Sequence, residues 1–273
     1  MNALTMKALK AHPTPPGSIT LWWLGQAGFI FRSPAGKLAV LDPYLSNSCK
    51  AIGDEHGFDM DRQVPPALAG ADLAGVDAYL LTHTHQDHLD PETLAAYRHA
   101  GGHGPYLAPA ETCEKLQALG IPASEITMTW PNKEFVLGDM VVRATFAVPF
   151  AGDDLTHVGY LVRIQDGPKV YFTGDTAYCE LLATAMEPHK PDMLVAVING
   201  AFRNLSPAEA ALLARLLQVQ TVIPCHHDLF PDNCLPPQLL RTNLMLHGMS
   251  DRYRSLRHGQ AFDYTPVPAA RPE

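Results

Sequence analysis

One short segment concentrates four side chains of types that commonly bind metal ions. His83, His85, Asp87 and His88 fall within six consecutive positions, in the spacing His-x-His-x-Asp-His. Imidazole nitrogens suit zinc, iron and manganese, whereas carboxylate oxygens favour harder ions. In a loop that leaves a strand, His83 and His85 can converge on one ion while Asp87 and His88 turn toward a second. Because two ions about 3.5–4 Å apart are a common arrangement for hydrolysis, the spacing predicts a centre of one or two divalent ions.

Two later segments place further candidate ligands at the ends of apolar runs. Asp175 follows a strand-like run that ends in Gly174, and its carboxylate could bridge two ions. His226 and His227 follow a second apolar run, and we prefer His226 as the ligand. His227 is a candidate catalytic group that could stabilise an oxyanion or protonate a leaving alkoxide. Either segment alone would be an ordinary turn or strand end, and the His cluster is what favours metal binding.

The elements that must position these residues follow from the apolar pattern. Residues 76–81 predict a buried strand that ends at the His cluster, and Asp90-Pro91 predicts the start of a helix over residues 91–100. Residues 48–69, rich in Gly, Asp and Pro, predict a long loop that could cover an active site. Further strands are predicted over residues 19–24, 28–31, 38–41, 106–108, 158–164, 169–172, 193–198 and 221–223, a hairpin turn at Gly138-Asp139, and further helices over residues 110–119, 178–186 and 207–217.

Strand and helix patterns occur in both halves of the chain. This alternation favours one layered α/β/β/α domain over residues 18–265, with tails at residues 1–17 and 266–273. A chain of 273 residues can bury the core that such a domain needs.

The composition argues against several classes of protein. The net charge is −8, whereas proteins that bind nucleic acid usually carry a basic surface, so we expect no nucleic-acid partner. Five cysteines without a close Cys-x-x-Cys pair indicate reduced thiols. No segment resembles a signal peptide or reaches the roughly 20 apolar residues that cross a bilayer, so we expect a cytoplasmic protein that does not contact a membrane.

The order of these motifs resembles the metallo-β-lactamase superfamily over residues 19–228. Segments 22–28, 41–43, 174–176 and 223–228 resemble, within it, the L-ascorbate-6-phosphate lactonase branch. The resemblance implies an αββα sandwich, with two β-sheets flanked by helices, and a cytosolic metal-dependent hydrolase. That branch is associated with manganese and with oligomers. We therefore expect a homo-oligomer with zinc or manganese, and iron is also possible because the same residue types accept it.

The resemblance also implies how the ligands divide between two ions. The first ion would be held by His83 and His85, and Asp175 would bridge to the second. The second ion would be held by Asp87, His88 and His226.

This chain departs from the superfamily pattern before the Gly-Asp motif, where another metal-binding histidine is usual. Residues 150 and 151, which align with that place, are Phe and Ala. His157 lies six or seven residues later and could bind metal, bind substrate or support a ligand, or be structural only. Asp153 or Asp154 could also take the place. If no residue fills it, a mononuclear enzyme becomes plausible.

The resemblance favours hydrolysis of a lactone or related ester of a small, anionic, sugar-like metabolite. Hydroxide generated at the metals would attack the carbonyl, and Asp87 would orient it and carry protons. Arg203 and Asn199, in a loop after a predicted strand, are candidates for substrate binding, because guanidinium grips anions bidentately. A solvent-exposed role for Arg203 is equally open. Gln26 is a candidate to support the ligands.

Other functions remain open at this point, because one fold can host several chemistries. A phosphodiesterase of the same fold is the principal alternative. Iron-dependent oxidation of a small substrate and a non-catalytic binding module are the others.

Overall fold

Within residues 4–149 and 155–267, which the computed structural model describes, thirteen strands form two β-sheets. The strands are β1 (Ile19–Gly25), β2 (Gly28–Arg32), β3 (Leu38–Leu41), β4 (Ala78–Leu80), β5 (Tyr106–Ala108), β6 (Ile126–Met128), β7 (Glu134–Leu137), β8 (Met140–Phe146), β9 (Val158–Ile164), β10 (Lys169–Phe172), β11 (Met193–Val197), β12 (Thr221–Cys225) and β13 (Ala261–Tyr264). The helices are α1 (Met6–Ala11), α2 (Cys49–His56), α3 (Pro91–His99), α4 (Ala110–Ala118), α5 (Glu180–Met186), α6 (Pro207–Leu217) and α7 (Gln238–Leu246).

The two sheets form a sandwich flanked by helices, which confirms the predicted αββα architecture. The first sheet has the order β13-β1-β2-β3-β4-β5-β6, and the second has the order β12-β11-β10-β9-β8-β7. Apolar side chains from both sheets, such as Trp23, Phe29 and Tyr160, share the central core. A second core lies under α1, α3 and α4. None of the helices described is both long and apolar enough to cross a membrane.

Parallel pairing within each sheet decides where the functional segments meet. Strands β3 to β6 are parallel in the first sheet, and β10 to β12 are parallel in the second. The carboxyl ends of parallel strands lie at one edge of a sheet, where α/β proteins commonly bind ligands. The segments that follow β3, β4, β10 and β12 are therefore brought to one end of the sandwich.

The structure differs from the predicted elements at several places. Eight of the 22 residues of the predicted loop over residues 48–69 are helical, because α2 begins directly after Ser48. Helix α1 lies in the predicted N-terminal tail, where Thr5 caps it and Leu9 is buried in the second core. Helix α7 and strand β13 were not predicted, and β13 completes the first sheet by pairing with β1.

Gly53 explains why α2 resembles a loop in sequence. Glycine is a poor helix former, and Asp54 and Gly57 add to the turn-like composition. In the structure an added Cβ at Gly53 would lie 2.6 Å from the carbonyl oxygen of Phe58. The glycine thus permits the chain to fold back closely on the helix, and Met60 to pack against it.

Candidate metal centre

Seven histidine and aspartate side chains from four segments converge at the carboxyl edge of the sandwich. The His-x-His-x-Asp-His segment follows β4, His157 directly precedes β9, Asp175 follows β10, and His226 directly follows β12. All of these side chains are buried except that of His85, which is partly exposed. Their convergence depends on contacts between strands that are far apart in sequence.

The ligand atoms of these side chains form three overlapping groups, each with all its atoms within 4.8 Å of one another. The carboxylate of Asp175 lies between the histidines, with Oδ1 3.3 Å from His88 Nε2 and Oδ2 3.5 Å from His226 Nε2. This arrangement divides the centre into two adjacent halves with Asp175 between them. The first half contains His83, His85 and His157, and the second contains Asp87, His88 and His226. The groups are His83, His85 and His157; His83, His88 and Asp175; and Asp87, His88 and His226.

Unsatisfied buried atoms in this cluster fit a divalent cation. His83 Nε2 and Asp175 Oδ1 are buried and make no hydrogen bond within the part of the chain that the structure describes. A buried polar atom left unsatisfied costs about 1–3 kcal/mol, so such atoms rarely occur without a ligand. Nitrogen and carboxylate donors in this number are the ligands that zinc, manganese and iron accept. The residues present therefore fit a metal centre.

Asp42 orients two of the candidate ligands from the end of β3. Its Oδ2 lies 2.8 Å from His88 Nδ1, so the opposite ring nitrogen, Nε2, faces the centre. The same oxygen accepts a hydrogen bond from the hydroxyl of Thr82, which lies 2.9 Å from His83 Nδ1. Carboxylates that hold the outer nitrogen of a metal-binding histidine fix its tautomer and its direction.

Two amide side chains contact the carboxylates of the centre. Gln26 donates from Nε2 to Asp87 Oδ2 at 2.9 Å, in agreement with the supporting role considered for it. Asn204 donates from Nδ2 to Asp175 Oδ2 at 2.6 Å. Sequence reasoning missed Asn204 and Asp42, and the only signal for Asp42 was its place at a strand end before Pro43.

The carboxylates of the cluster are ionised, whereas its histidines differ in the direction of their pKa shifts. Burial, together with the neighbouring His88 and His157, lowers the pKa of His83 well below its usual range, so this ring is neutral. Burial would raise the pKa of Asp175, but His226 and His88 outweigh burial and lower its pKa well below the usual range. The same balance lowers the pKa of Asp87. Against burial, the two carboxylates in turn raise the pKa of His88 and of His226, so metal binding at these two rings would displace protons from them.

His157 lies where a ligand for the first half of the centre would be needed. Its ring is 4.0 Å from that of His83, measured between centroids. Its Nδ1 lies 3.0 Å from the backbone carbonyl oxygen of Asp175, which directs Nε2 toward His83 and His85. The alternative candidates Asp153 and Asp154 lie outside the described residues.

The remaining predicted site residues lie around this cluster. His227 is buried against the ring of Trp23, with centroids 4.6 Å apart, and its Nδ1 lies 2.8 Å from Asp228 Oδ2. Asn199 donates to Asn233 Oδ1 at 2.7 Å. Arg203 is exposed, with a positive φ of 61°. The structure thus brings His157 into one of the three groups, whereas His227, the candidate catalytic histidine, belongs to none of them.

A cavity of about 270 Å³ opens over the cluster. His85, Asp87 and Asp175 lie at one side of it, together with Gln86. Helix α2 and the segment after it form another side, in agreement with the predicted covering role of residues 48–69. The remaining lining residues are Cys49, Ile52, Met60, Phe202 and Asn233.

Comparisons with known proteins agree with this architecture. A family described as the beta-lactamase superfamily domain matches residues 40–227. A UPF0173 metal-dependent hydrolase from Myxococcus xanthus is 32% identical over 227 residues, which cover 79% of this chain and 72% of that protein.

Two solved structures show a similar fold. The isothiocyanate hydrolase from Delia radicum gut bacteria has a TM-score of 0.71 at 18% identity, covering 90% of this chain and 99% of that one. CmlA, a diiron β-hydroxylase from Streptomyces venezuelae, has a TM-score of 0.66 at 18% identity, covering 93% of this chain and 55% of that one. At such identities the likeness concerns the fold alone.

Proposed function

This chain is a metal-dependent hydrolase of the metallo-β-lactamase superfamily, and we propose that it hydrolyses a lactone or a related carboxylic ester of a small molecule. The observation that carries this proposal is the cluster of three overlapping ligand groups, with Asp175 between its two halves, beside a cavity of about 270 Å³. That volume suits a small molecule. Zinc or manganese is the proposed metal, and the homo-oligomer and the cytoplasmic location stay predictions.

The cluster supplies the parts that ester hydrolysis needs. Divalent ions bound there would acidify water and stabilise negative charge on the substrate oxygen. Asp87 lines the cavity, and the amide of Gln26 restrains its carboxylate. We infer that Asp87 accepts the proton of the attacking water and returns it to the leaving oxygen. One acyl C–O bond forms and the ring C–O bond breaks, so the product is a hydroxy acid.

The surroundings favour a carboxylic ester over a phosphodiester. A phosphodiester carries a negative charge that phosphate-binding proteins usually match with Arg or Lys. Among the described residues that line the cavity, none is Arg or Lys. The net charge of −8 also disfavours nucleic-acid substrates.

Turnover of a small panel tests the proposed reaction. We expect the zinc-loaded or manganese-loaded protein to open γ-octalactone and to leave bis-p-nitrophenyl phosphate intact. The acid released on lactone opening measures product formation. The variant His85→Ala, which removes one candidate ligand, should lose lactone opening. Cleavage of the phosphodiester alone would instead identify a phosphodiesterase. A protein that hydrolyses neither compound and binds iron tightly would favour iron-dependent oxidation of a small substrate.

A further inference from the structure

We propose that the substrate of this centre carries an uncharged, apolar body, such as an alkyl or aryl group, next to the carbonyl that is hydrolysed. This inference rests on the proposed function and replaces the anionic, sugar-like substrate expected from the resemblance. The observation behind it is the wall of the cavity that faces His85, Asp87 and Asp175.

The wall is formed by four apolar side chains. Cys49 and Ile52 come from α2, Met60 from the segment after it, and Phe202 from the loop between β11 and α6. Ile52 is 40% exposed and Phe202 is 43% exposed, although large apolar side chains are usually buried. Exposed apolar side chains gathered at a cavity are typical of a binding site for an apolar ligand.

Phe58 extends this apolar surface beyond the cavity. Its ring meets that of Phe202 edge to face, with centroids 6.1 Å apart, and it is 46% exposed. The contact joins the segment after α2, which contributes Met60 to the cavity lining, to the β11–α6 loop, which contributes Phe202. We name Ile52, Phe58, Met60 and Phe202 the apolar rim.

Part of the rim packs on buried side chains. Met60 packs against a small buried cluster that contains Tyr44, Cys49 and Phe230. The guanidinium of Arg62 donates to the backbone carbonyl of Tyr44 at 2.9 Å and so links the two ends of the segment that contains α2. A preformed apolar wall binds its ligand without the entropic cost of ordering.

The two cations of the segment that carries most of the rim, Lys50 and Arg62, do not line the cavity. Residues 49–64 contain four acidic side chains and two basic ones, a local charge of −2. Lys50 lies 3.3 Å from Asp54 and 3.9 Å from Asp61. Arg62 donates from Nε to the backbone carbonyl of Val64 at 2.6 Å and from Nη1 to that of Tyr44 at 2.9 Å.

The lining residues that belong neither to the apolar wall nor to the metal cluster have uncharged side chains. Asn233 and Gln86 are amides, and Gln86 donates to the carbonyl of Ser48 at 2.9 Å. Arg203, the expected anion-binding residue, does not line the cavity. A charged or heavily hydroxylated substrate body would therefore lose its hydration here without ionic compensation from the wall.

Binding of alkyl hydroxamates to the zinc-loaded protein tests this inference without turnover. The hydroxamate group binds the metal, so affinity differences along a series from acetohydroxamate to octanohydroxamate report on the wall. By calorimetry we expect the affinity to rise about fourfold for each methylene that becomes buried. Adipic monohydroxamate, which ends in a carboxylate, should bind at least tenfold more weakly than hexanohydroxamate.

Variants of the apolar rim test whether its side chains cause the dependence of affinity on chain length. Ile52→Asp and Phe202→Asp should each flatten the chain-length dependence. Leu216→Asp changes a side chain of similar exposure, 43%, on α6 outside the cavity and should leave the dependence unchanged. Affinity independent of chain length, or tighter binding of the carboxylate-terminated hydroxamate, would overturn the inference.

Parallel turnover assays separate this inference from the proposed reaction. If hydroxamate affinity rises with chain length but γ-octalactone is not hydrolysed, the apolar binding site is supported and lactone hydrolysis is rejected. Hydrolysis of a phosphorylated sugar lactone in preference to γ-octalactone would retain the reaction and reject the apolar substrate.

Discussion

Asp87→Asn is expected to lower kcat/KM for the lactone about 1000-fold. Asparagine keeps the shape of the side chain but loses the charge that Gln26 and the histidines His88 and His226 stabilise. It can neither accept a proton nor bind a cation as a carboxylate does, and acid–base groups contribute about 10²–10⁴-fold to rates. Steady-state kinetics at saturating metal give the comparison.

Asp54→Asn is a suitable control for the loss of one negative charge. Asp54 is exposed on α2, pairs only with Lys50 among its described ion pairs, and does not line the cavity. We expect this variant to retain kcat/KM within a factor of two to three. Activity of Asp87→Asn within tenfold of the wild type at equal metal content would remove Asp87 from the mechanism.

Gly174→Ala is expected to destabilise the protein strongly. Gly174 has a φ of +59°, and an added Cβ would lie 2.6 Å from the backbone carbonyl oxygen of Val158. Left-handed strain of about 1–3 kcal/mol and overpacking of about 1–3 kcal/mol together suggest a loss of about 3 kcal/mol. The melting temperature of the metal-free protein should fall by about 6–12 °C in calorimetry.

Gly120→Ala separates steric clash from backbone strain. Gly120 also has a positive φ, +85°, but nothing lies within 4 Å of its added Cβ. We expect this control to lose only about 1–2 kcal/mol, the cost of the left-handed backbone alone. Equal melting temperatures for Gly174→Ala and Gly120→Ala would show that the close approach of β9 to Gly174 has no energetic consequence.

The local features of this site can be predicted from the sequence. The His-x-His-x-Asp-His spacing and the strand before it are both contained in a dozen residues, so apolar pattern and residue type suffice to predict them. The same holds for the start of α3, where Asp90 accepts from Glu92 N and Pro91 occupies the first turn. The two-sheet architecture followed from the alternation of strands and helices.

The features that sequence could not supply depend on long-range contacts. Asp42 and His88 are 46 positions apart, and Asn204 and Asp175 are 29 positions apart, yet each pair is in direct contact. Residue type alone cannot reveal such partners. Arg203 illustrates the converse: its type fits an anion-binding role, but consecutive positive φ angles at Phe202 and Arg203 shape a turn that places Phe202, and not Arg203, at the cavity.

The two halves of the ligand cluster, with Asp175 between them, are expected to hold one divalent ion each. Elemental analysis of the purified protein, loaded with zinc or manganese and then desalted, tests this expectation most directly. We predict two ions per chain in the wild type and about one in each of His85→Ala and His226→Ala, because these residues belong to different groups. A wild-type protein that retains no divalent ion, or variants that retain as much metal as the wild type, would contradict the account.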